Sequence, residues 1–179
     1  TDGGCRGNQK DENTGGWGAV LEYGDYRKEL YGGELNTTNN RMEMTALLEA
    51  LNALKKEGLV IEVFSDSSYL MNCFRQKWYE NWQKNGWQTA AKKPVENKDL
   101  WEKLLVHLAH HKSFSFYRVK GHVNLNSKST DFDKLYQKFL EWNGTNFSFE
   151  DFKYVTAMNN RADALANAGI DEILKESHK

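Results

Sequence analysis

Residues 59–64 (LVIEVF) form a short, mostly apolar run rich in β-branched side chains, between Gly58 and Ser65-Asp66. Such a run reads as a strand buried in a partly parallel sheet. Its surroundings agree. Upstream, Met42, Ala46, Leu47, Ala50, Leu51 and Leu54 recur at the spacing of an amphipathic helix. That helix is expected to start at the capping cluster Thr37-Thr38-Asn39-Asn40 and to stop at Gly58. Downstream, helices are expected over 68–75 and 97–110, and a strand over 114–119. A last helix is expected from Asn159 into the 170s. Residues 15–35 read as an antiparallel meander, a strand over 15–23 followed by two short ones over 26–30 and 31–35, with Gly24-Asp25 as one turn. The order β-β-β-α-β-α-α-β-α specifies an α/β fold: a mixed sheet with helices on its faces and no internal repeat.

The 179 residues suit a single domain, 1–179, with a sizeable core, and 13% of them are aromatic. One Pro and no Ser/Gly-rich run argue against a disordered linker. No apolar run reaches membrane-spanning length and no signal-peptide core stands at the start. Only Cys5 and Cys73 are present, too few for a disulfide framework or a zinc site. A soluble, cytoplasmic protein with no membrane partner is the expectation. The net charge of −1 does not advertise nucleic-acid binding, but its distribution is uneven. Between Cys73 and Asn97, Arg75, Lys77, Lys84, Lys92 and Lys93 face only Glu80 and Glu96, interleaved with Trp78, Tyr79, Trp82 and Trp87.

Four acids occupy recognisable contexts: Asp2 in Thr-Asp-Gly-Gly, Glu43 in Asn-Asn-Arg-Met-Glu-Met, Asp66 in Ser-Asp-Ser-Ser-Tyr and Asp163 in Asn-Arg-Ala-Asp-Ala-Leu-Ala. Each alone has an ordinary explanation. Asp66 follows a strand as turn formers do, Glu43 lies where a helix dipole favours an acid, and Asp2 precedes glycines as in a turn. Brought together, they would make an all-oxygen cage for hard divalent cations. A pair of such ions can clamp the attacking and leaving oxygens of a phosphodiester. The pattern points to a nuclease.

Five blocks, in order, resemble bacterial type 1 ribonuclease H (ribonuclease HI). They are Thr1-Asp2-Gly3-Gly4-Cys5, Thr38-Asn39-Asn40-Arg41-Met42-Glu43, Ser65-Asp66-Ser67-Ser68-Tyr69, Val119-Lys120-Gly121-His122 and Asn159-Asn160-Arg161-Ala162-Asp163. The resemblance implies a ribonuclease H-like mixed five-stranded sheet with helices on both faces. It implies hydrolysis of the RNA strand of RNA–DNA hybrids, leaving 5′-phosphate and 3′-hydroxyl ends. Asp2, Glu43, Asp66 and Asp163 would hold two Mg²⁺ ions, with Mn²⁺ as a substitute. His122 would serve proton transfer or product release. Residues 75–101 resemble the family's basic handle. Cys5, Asn8 and Asn39 would meet the minor groove and the 2′-hydroxyls, Asn40 the DNA side, and Thr38 a DNA phosphate at a helix N-terminus. Ser68 would make an RNA contact weaker than the Gln that many relatives carry there. Trp78 would stack on deoxyribose while Trp82 and Trp87 pack the handle, and Lys84, Lys92 and Lys93 would pair with phosphates. His107, His110 and His111 read as cations at a helix end, not as a metal site.

The chain departs from that pattern in places. Relatives carry a strand leading into Thr-Asp-Gly, so a stretch preceding Thr1, or another segment supplying that strand, is expected. Residues 123–158 are an insertion, in which Asp133–Trp142 reads as an amphipathic helix and Phe147, Phe149, Phe152 and Tyr154 form an aromatic cluster. A satellite core is one reading of that insertion and a lid or partner surface another. A monomeric enzyme is expected. A ribonuclease H domain of a reverse transcriptase and a non-catalytic hybrid-binding module are the alternatives.

Overall fold

The computed structural model describes residues 1–8 and 12–177, with Asn8 and Ser177 described in their backbone only. Its strands are β1 (Asp2–Asn8), β2 (Glu12–Tyr23), β3 (Tyr26–Leu35), β4 (Val60–Ser65) and β5 (Ser113–Arg118). Its helices are α1 (Asn39–Asn52), α2 (Ser68–Arg75), α3 (Trp78–Lys84), α4 (Lys98–His110), α5 (Phe132–Asn143) and α6 (Phe149–Ser177). β1, β2 and β3 form an antiparallel meander in which Asp2 lies opposite Gly18 and Tyr23 opposite Tyr26. β4 and β5 pair in parallel from Val60↔Ser113 to Ser65↔Arg118. Hydrogen bonding groups the five strands as three and two, and the Thr1 nitrogen, 3.1 Å from the Phe64 carbonyl, bridges the two groups.

The two faces are covered differently. α1 packs on β1 and β2, while α6 lies across β2 and β3 on the opposite side. Beside α1 sits the main core of α1, α2 and α4 side chains with Val63, and Trp101 is its largest fully buried member. Strand alternation sends Ile61, Val63, Phe114 and Phe116 into that core and Phe64 and Val119 to the other side. There Phe64 stacks on its ladder partner Tyr117 with centroids 5.1 Å apart, and Phe147 meets Tyr117 edge-on at 4.9 Å. α5 and the first turns of α6 complete this second core around Phe139, Phe152 and Val119. Segment 123–158 therefore covers apolar area on the β4–β5 face.

Several boundaries differ from the sequence-based expectation. α1 ends at Asn52, with Ala53 still in right-handed helical geometry as its C-cap, and Gly58 belongs to a later turn (φ +73°). The Gly58 amide donates to the His110 carbonyl and ties that turn to the end of α4. β3 is one strand of ten residues rather than two short ones. α6 begins ten residues before Asn159, because Ser148 and Asp151 exchange side-chain-to-backbone hydrogen bonds at 3.0 and 3.1 Å. Such a reciprocal pair starts a helix by satisfying two otherwise orphaned amides. α2 and α5 are capped by the Ser67 and Asp131 side chains. No helix among the described residues is long and apolar enough to cross a membrane.

Phe139 is 2% exposed and contacts Phe147 and Phe152. Phe139→Ala is expected to cost about 3–5 kcal/mol in chemical denaturation. A loss below about 1 kcal/mol would show that the second core does not contribute to global stability.

Candidate active site

The site forms where β1, α1, β4 and α6 come closest. Gly3 permits the approach of α1 to β1: a β-carbon on Gly3 would stand 2.4 Å from the Met42 carbonyl carbon. Asp2 and Glu43, 5% and 7% exposed, are thereby set side by side. Asp66 follows β4 directly, at the carboxyl end of a parallel strand where open α/β sheets place ligands. Candidate ligand oxygens of Asp2, Glu43 and Asp66 all lie within 4.8 Å of one another. Asp163 on α6 faces the same cleft, close enough to Asp2 to raise its carboxyl further. Its Oδ2 lies 3.8 Å from Nδ1 of His122, an exposed side chain on a residue with φ +57°.

Fixing elements surround the acids. Ser65 is fully buried; its hydroxyl donates to Glu43 Oε2 at 3.4 Å and accepts from the Ser67 amide at 3.1 Å. Gly121 leaves room for Asp66, since a β-carbon there would lie 2.3 Å from Asp66 Oδ2. Burial pushes the Asp2 carboxyl well above the usual carboxylate range, and the charges of Glu43 and Asp66 push it further. Burial and then Asp66 raise Glu43 in the same direction. The cage is electrostatically strained, and added positive charge would relieve it.

A cleft of about 560 Å³ opens over the acids. Cys5, Asn39, Asn40, Ser68 and His122 line it with all four carboxylates. Thr38, Trp78, Lys84, Lys92 and Lys93 lie outside its lining, and the side chain of Asn8 lies outside the described residues. Thr38 caps α1, its hydroxyl accepting from the Arg41 amide at 3.1 Å. Trp78 and Lys84 border a second depression of about 460 Å³ with Trp82. The Trp78 indole donates to Gln76 Oε1 at 2.7 Å and meets Tyr69 and Trp82 edge-on. Trp82 packs on Trp101 at 5.4 Å and on Trp87 at 6.3 Å, while Lys92 and Lys93 are exposed.

The cleft also contains residues that the sequence reading did not single out. Arg6 reaches across to α6, donating to Asn167 at 2.7 Å and Asp171 at 2.9 Å. Asn167 in turn donates to the Asp163 carbonyl at 3.1 Å. Its i+4 spacing from Asp163 places both on one helix face, a signal the sequence does carry. The Arg6 contacts span more than 160 residues and depend on the packing of α6. Tyr69 joins this wall and, through Trp78, connects the cleft to the Trp-rich segment.

Comparison with known proteins places the chain among relatives of one family. The RNase H family model matches residues 1–141. A protein named Ribonuclease H from Clostridium botulinum is 48% identical over 141 residues, covering 79% of this chain and 93% of the relative. One of the same name from Chlorobium luteolum is 53% identical over 122 residues, covering 68% and 80%. Among solved structures, LC9-RNase H1, a type 1 RNase H with the type 2 active-site motif, superposes with a TM-score of 0.59 at 23% identity. It covers 89% of this chain and 82% of that one, a likeness of fold.

The raised carboxyls give the metal-free protein a definite pH dependence. Above the ordinary values of 3.8 and 4.5, the unfolded chain has released protons that folded Asp2 and Glu43 retain. Folding then takes up protons, so stability falls as pH rises. In EDTA the melting temperature is expected to fall between pH 5 and pH 8, and Asp2→Asn or millimolar Mg²⁺ to flatten the decline. A flat or rising profile for the unmodified protein in EDTA would contradict the assignment.

Proposed function

Because the chain belongs to the ribonuclease H family, we propose that it is an endonuclease hydrolysing the RNA strand of RNA–DNA hybrids, with divalent metal ions held by Asp2, Glu43, Asp66 and Asp163. The observation that carries the reading is the convergence of Asp2, Glu43 and Asp66, from three different elements, within 4.8 Å at the floor of an open cleft. The donor set fits hard cations. It offers carboxylate oxygens with no thiol or imidazole among the three converging residues, and its buried acids are destabilised until charge is supplied. Two Mg²⁺ ions, or Mn²⁺ in their place, would supply charge that activates water for attack on phosphorus and stabilises the departing 3′ oxygen.

The protein's own groups account for the rest of the chemistry. Four carboxylates on separate elements fix where cations can sit, and Ser65 orients Glu43 among them. His122 stands at the mouth, within reach of Asp163, where an imidazole can hand a proton to a departing oxygen or help the cut end leave. Asn39, Asn40, Ser68 and the backbone around Cys5 offer neutral donors and acceptors along the cleft wall. Such groups suit a minor groove that displays 2′-hydroxyls, the feature separating RNA from DNA. The exposed Lys84, Lys92 and Lys93 form a handle that pairs with phosphates outside the cleft, positioning the duplex without reading its sequence. Cleavage would leave 5′-phosphate and 3′-hydroxyl ends.

End-labelled RNA–DNA hybrid, RNA duplex and DNA duplex, each with Mg²⁺, Mn²⁺ or EDTA, test the reading beside an Asp66→Asn control. Metal-dependent cutting confined to the RNA strand of the hybrid, and lost in the control, is expected. Tight hybrid binding with no cleavage under either metal would make the protein a binding module instead. Lys92→Ala with Lys93→Ala is expected to reduce the slope of log K against log salt by roughly 1–2. An unchanged slope would remove these lysines from the phosphate contacts.

A further inference from the structure

The chain leaves β5 through residues 119–123, the loop that sets Gly121 against Asp66 and His122 beside Asp163. Side-chain amides from other elements hold both ends of this loop. At its entrance, Asn143 accepts from the Arg118 amide at 2.8 Å and donates to the Arg118 carbonyl at 2.8 Å. One side chain thus supplies the paired bonds that a neighbouring antiparallel strand would make. Arg75 locks Asn143 in place, donating to its Oδ1 at 2.7 Å and to the carbonyls of Trp142 and Phe116 at 3.0 and 2.8 Å. At the exit, Asn160 Nδ2 donates to the Val123 carbonyl at 2.8 Å. Val119, at the base of the loop, is buried in the core formed by Phe139 and Phe152.

His122 itself is weakly held. Its side chain is 76% exposed, its nearest charged partner is Asp163 at 3.8 Å, and its φ of +57° is one that side-chain-bearing residues adopt only when the surroundings impose it. The backbone on either side must therefore fix the imidazole. Asn143 belongs to α5, and Asn160 lies on α6 just beyond the turns that the second core anchors. Segment 123–158, which covers the β4–β5 face, supplies the first restraint, and the helix whose first turns it forms supplies the second.

We propose that Asn160, together with Asn143, is a positioning residue for His122, and that segment 123–158 is a brace that keeps the imidazole over Asp163. This inference rests on the ribonuclease reading of the site. Asn160 is not part of the cleft lining, so it acts through the loop and not on the substrate. Without its hydrogen bond the Val123 carbonyl turns to water, and residues 120–124 gain backbone freedom. The imidazole then spends less time where it can serve the departing oxygen, which lowers kcat and leaves binding intact.

The test is steady-state cleavage of a fluorescently labelled RNA–DNA hybrid in Mg²⁺ by the full chain. The variants are Asn160→Leu, which keeps the shape and removes the donor, His122→Ala, Asn143→Ala and the double variant Asn160→Leu/His122→Ala. Asn160→Leu is expected to lower kcat about tenfold with KM within about twofold. Asn143→Ala is expected to act in the same direction. The double variant is expected to be no slower than His122→Ala alone, within about twofold, because the two residues act as a unit. Unchanged kcat in Asn160→Leu, or factors that multiply in the double variant, would overturn the proposal. Should Asn160→Leu melt more than a few degrees lower, Asn160→Ala, a favourable helix residue, carries the same cycle. A wild-type protein that leaves the hybrid intact would overturn the ribonuclease reading and this inference with it, which distinguishes the two failures.

Discussion

The direct seating of α6 on the glycines of β2 is the contact on which the site depends. A β-carbon on Gly16 would lie 2.0 Å from the Ala166 carbonyl oxygen, and one on Gly18 would lie 2.3 Å from that of Ala162. No side chain fits between helix and strand at these points, so backbone meets backbone. Gly18 is also the ladder partner of Asp2, and Ala162 immediately precedes Asp163. The approach therefore delivers Asp163 to Asp2 across the edge of the sheet. A larger residue at Gly16 or Gly18 would lift α6 and separate the two carboxyls, with Asn167 and its hold on Arg6 moving as well.

That precision works against electrostatics. Asp2 and Glu43 are buried next to each other and next to Asp66, an arrangement that burial and like charge both penalise. The fold tolerates it because the backbone leaves the acids little freedom to move apart: Gly3 is pressed on Met42, Gly121 abuts Asp66, and Ser65 bonds Glu43. The cost is borne by the surrounding cores, one centred on Trp101 and the other on Phe139. Local rules are broken here, as they are at sites shaped for ligands rather than for stability.

How much of this was legible in the sequence depended on whether the signal was local. The strand β4, the helices α2, α4 and α5, and the start of α1 followed from periodicity and caps, although only Val63 and Ser65 of β4 are buried. The three converging carboxylates were legible because each sits in a distinctive block. Asp2 illustrates the limit: Asp-Gly-Gly reads as a turn, yet residues 2–8 form a strand. Glycine is poor in strands by propensity, but here it admits α1 against β1 at Met42, a tertiary demand that no local window reveals. The early start of α6 was written in the Ser148–Asp151 cap, although the aromatic residues around it suggested only a cluster. Arg6 was invisible, since its partners lie at the far end of the chain.

The parallel pair β4–β5 explains why two regions far apart in sequence converge on one cleft. The carboxyl ends of the two strands release Asp66 and the 119–123 loop side by side, joined by the bond from the Val119 amide to the Ser65 carbonyl at 2.9 Å. One face of the pair is filled by the core that carries the Trp-rich segment, through Phe116 stacked on Phe74 at 4.3 Å. The other is filled by segment 123–158, through Phe64, Tyr117 and Phe147. Arg75 links the two, because it ends α2 on the first face while its guanidinium holds Trp142 and Asn143 at the edge of β5. A close-packed interior passes small displacements on rather than absorbing them. Packing changes on either face therefore reach the same pair of strand ends, and through them Asp66 and His122.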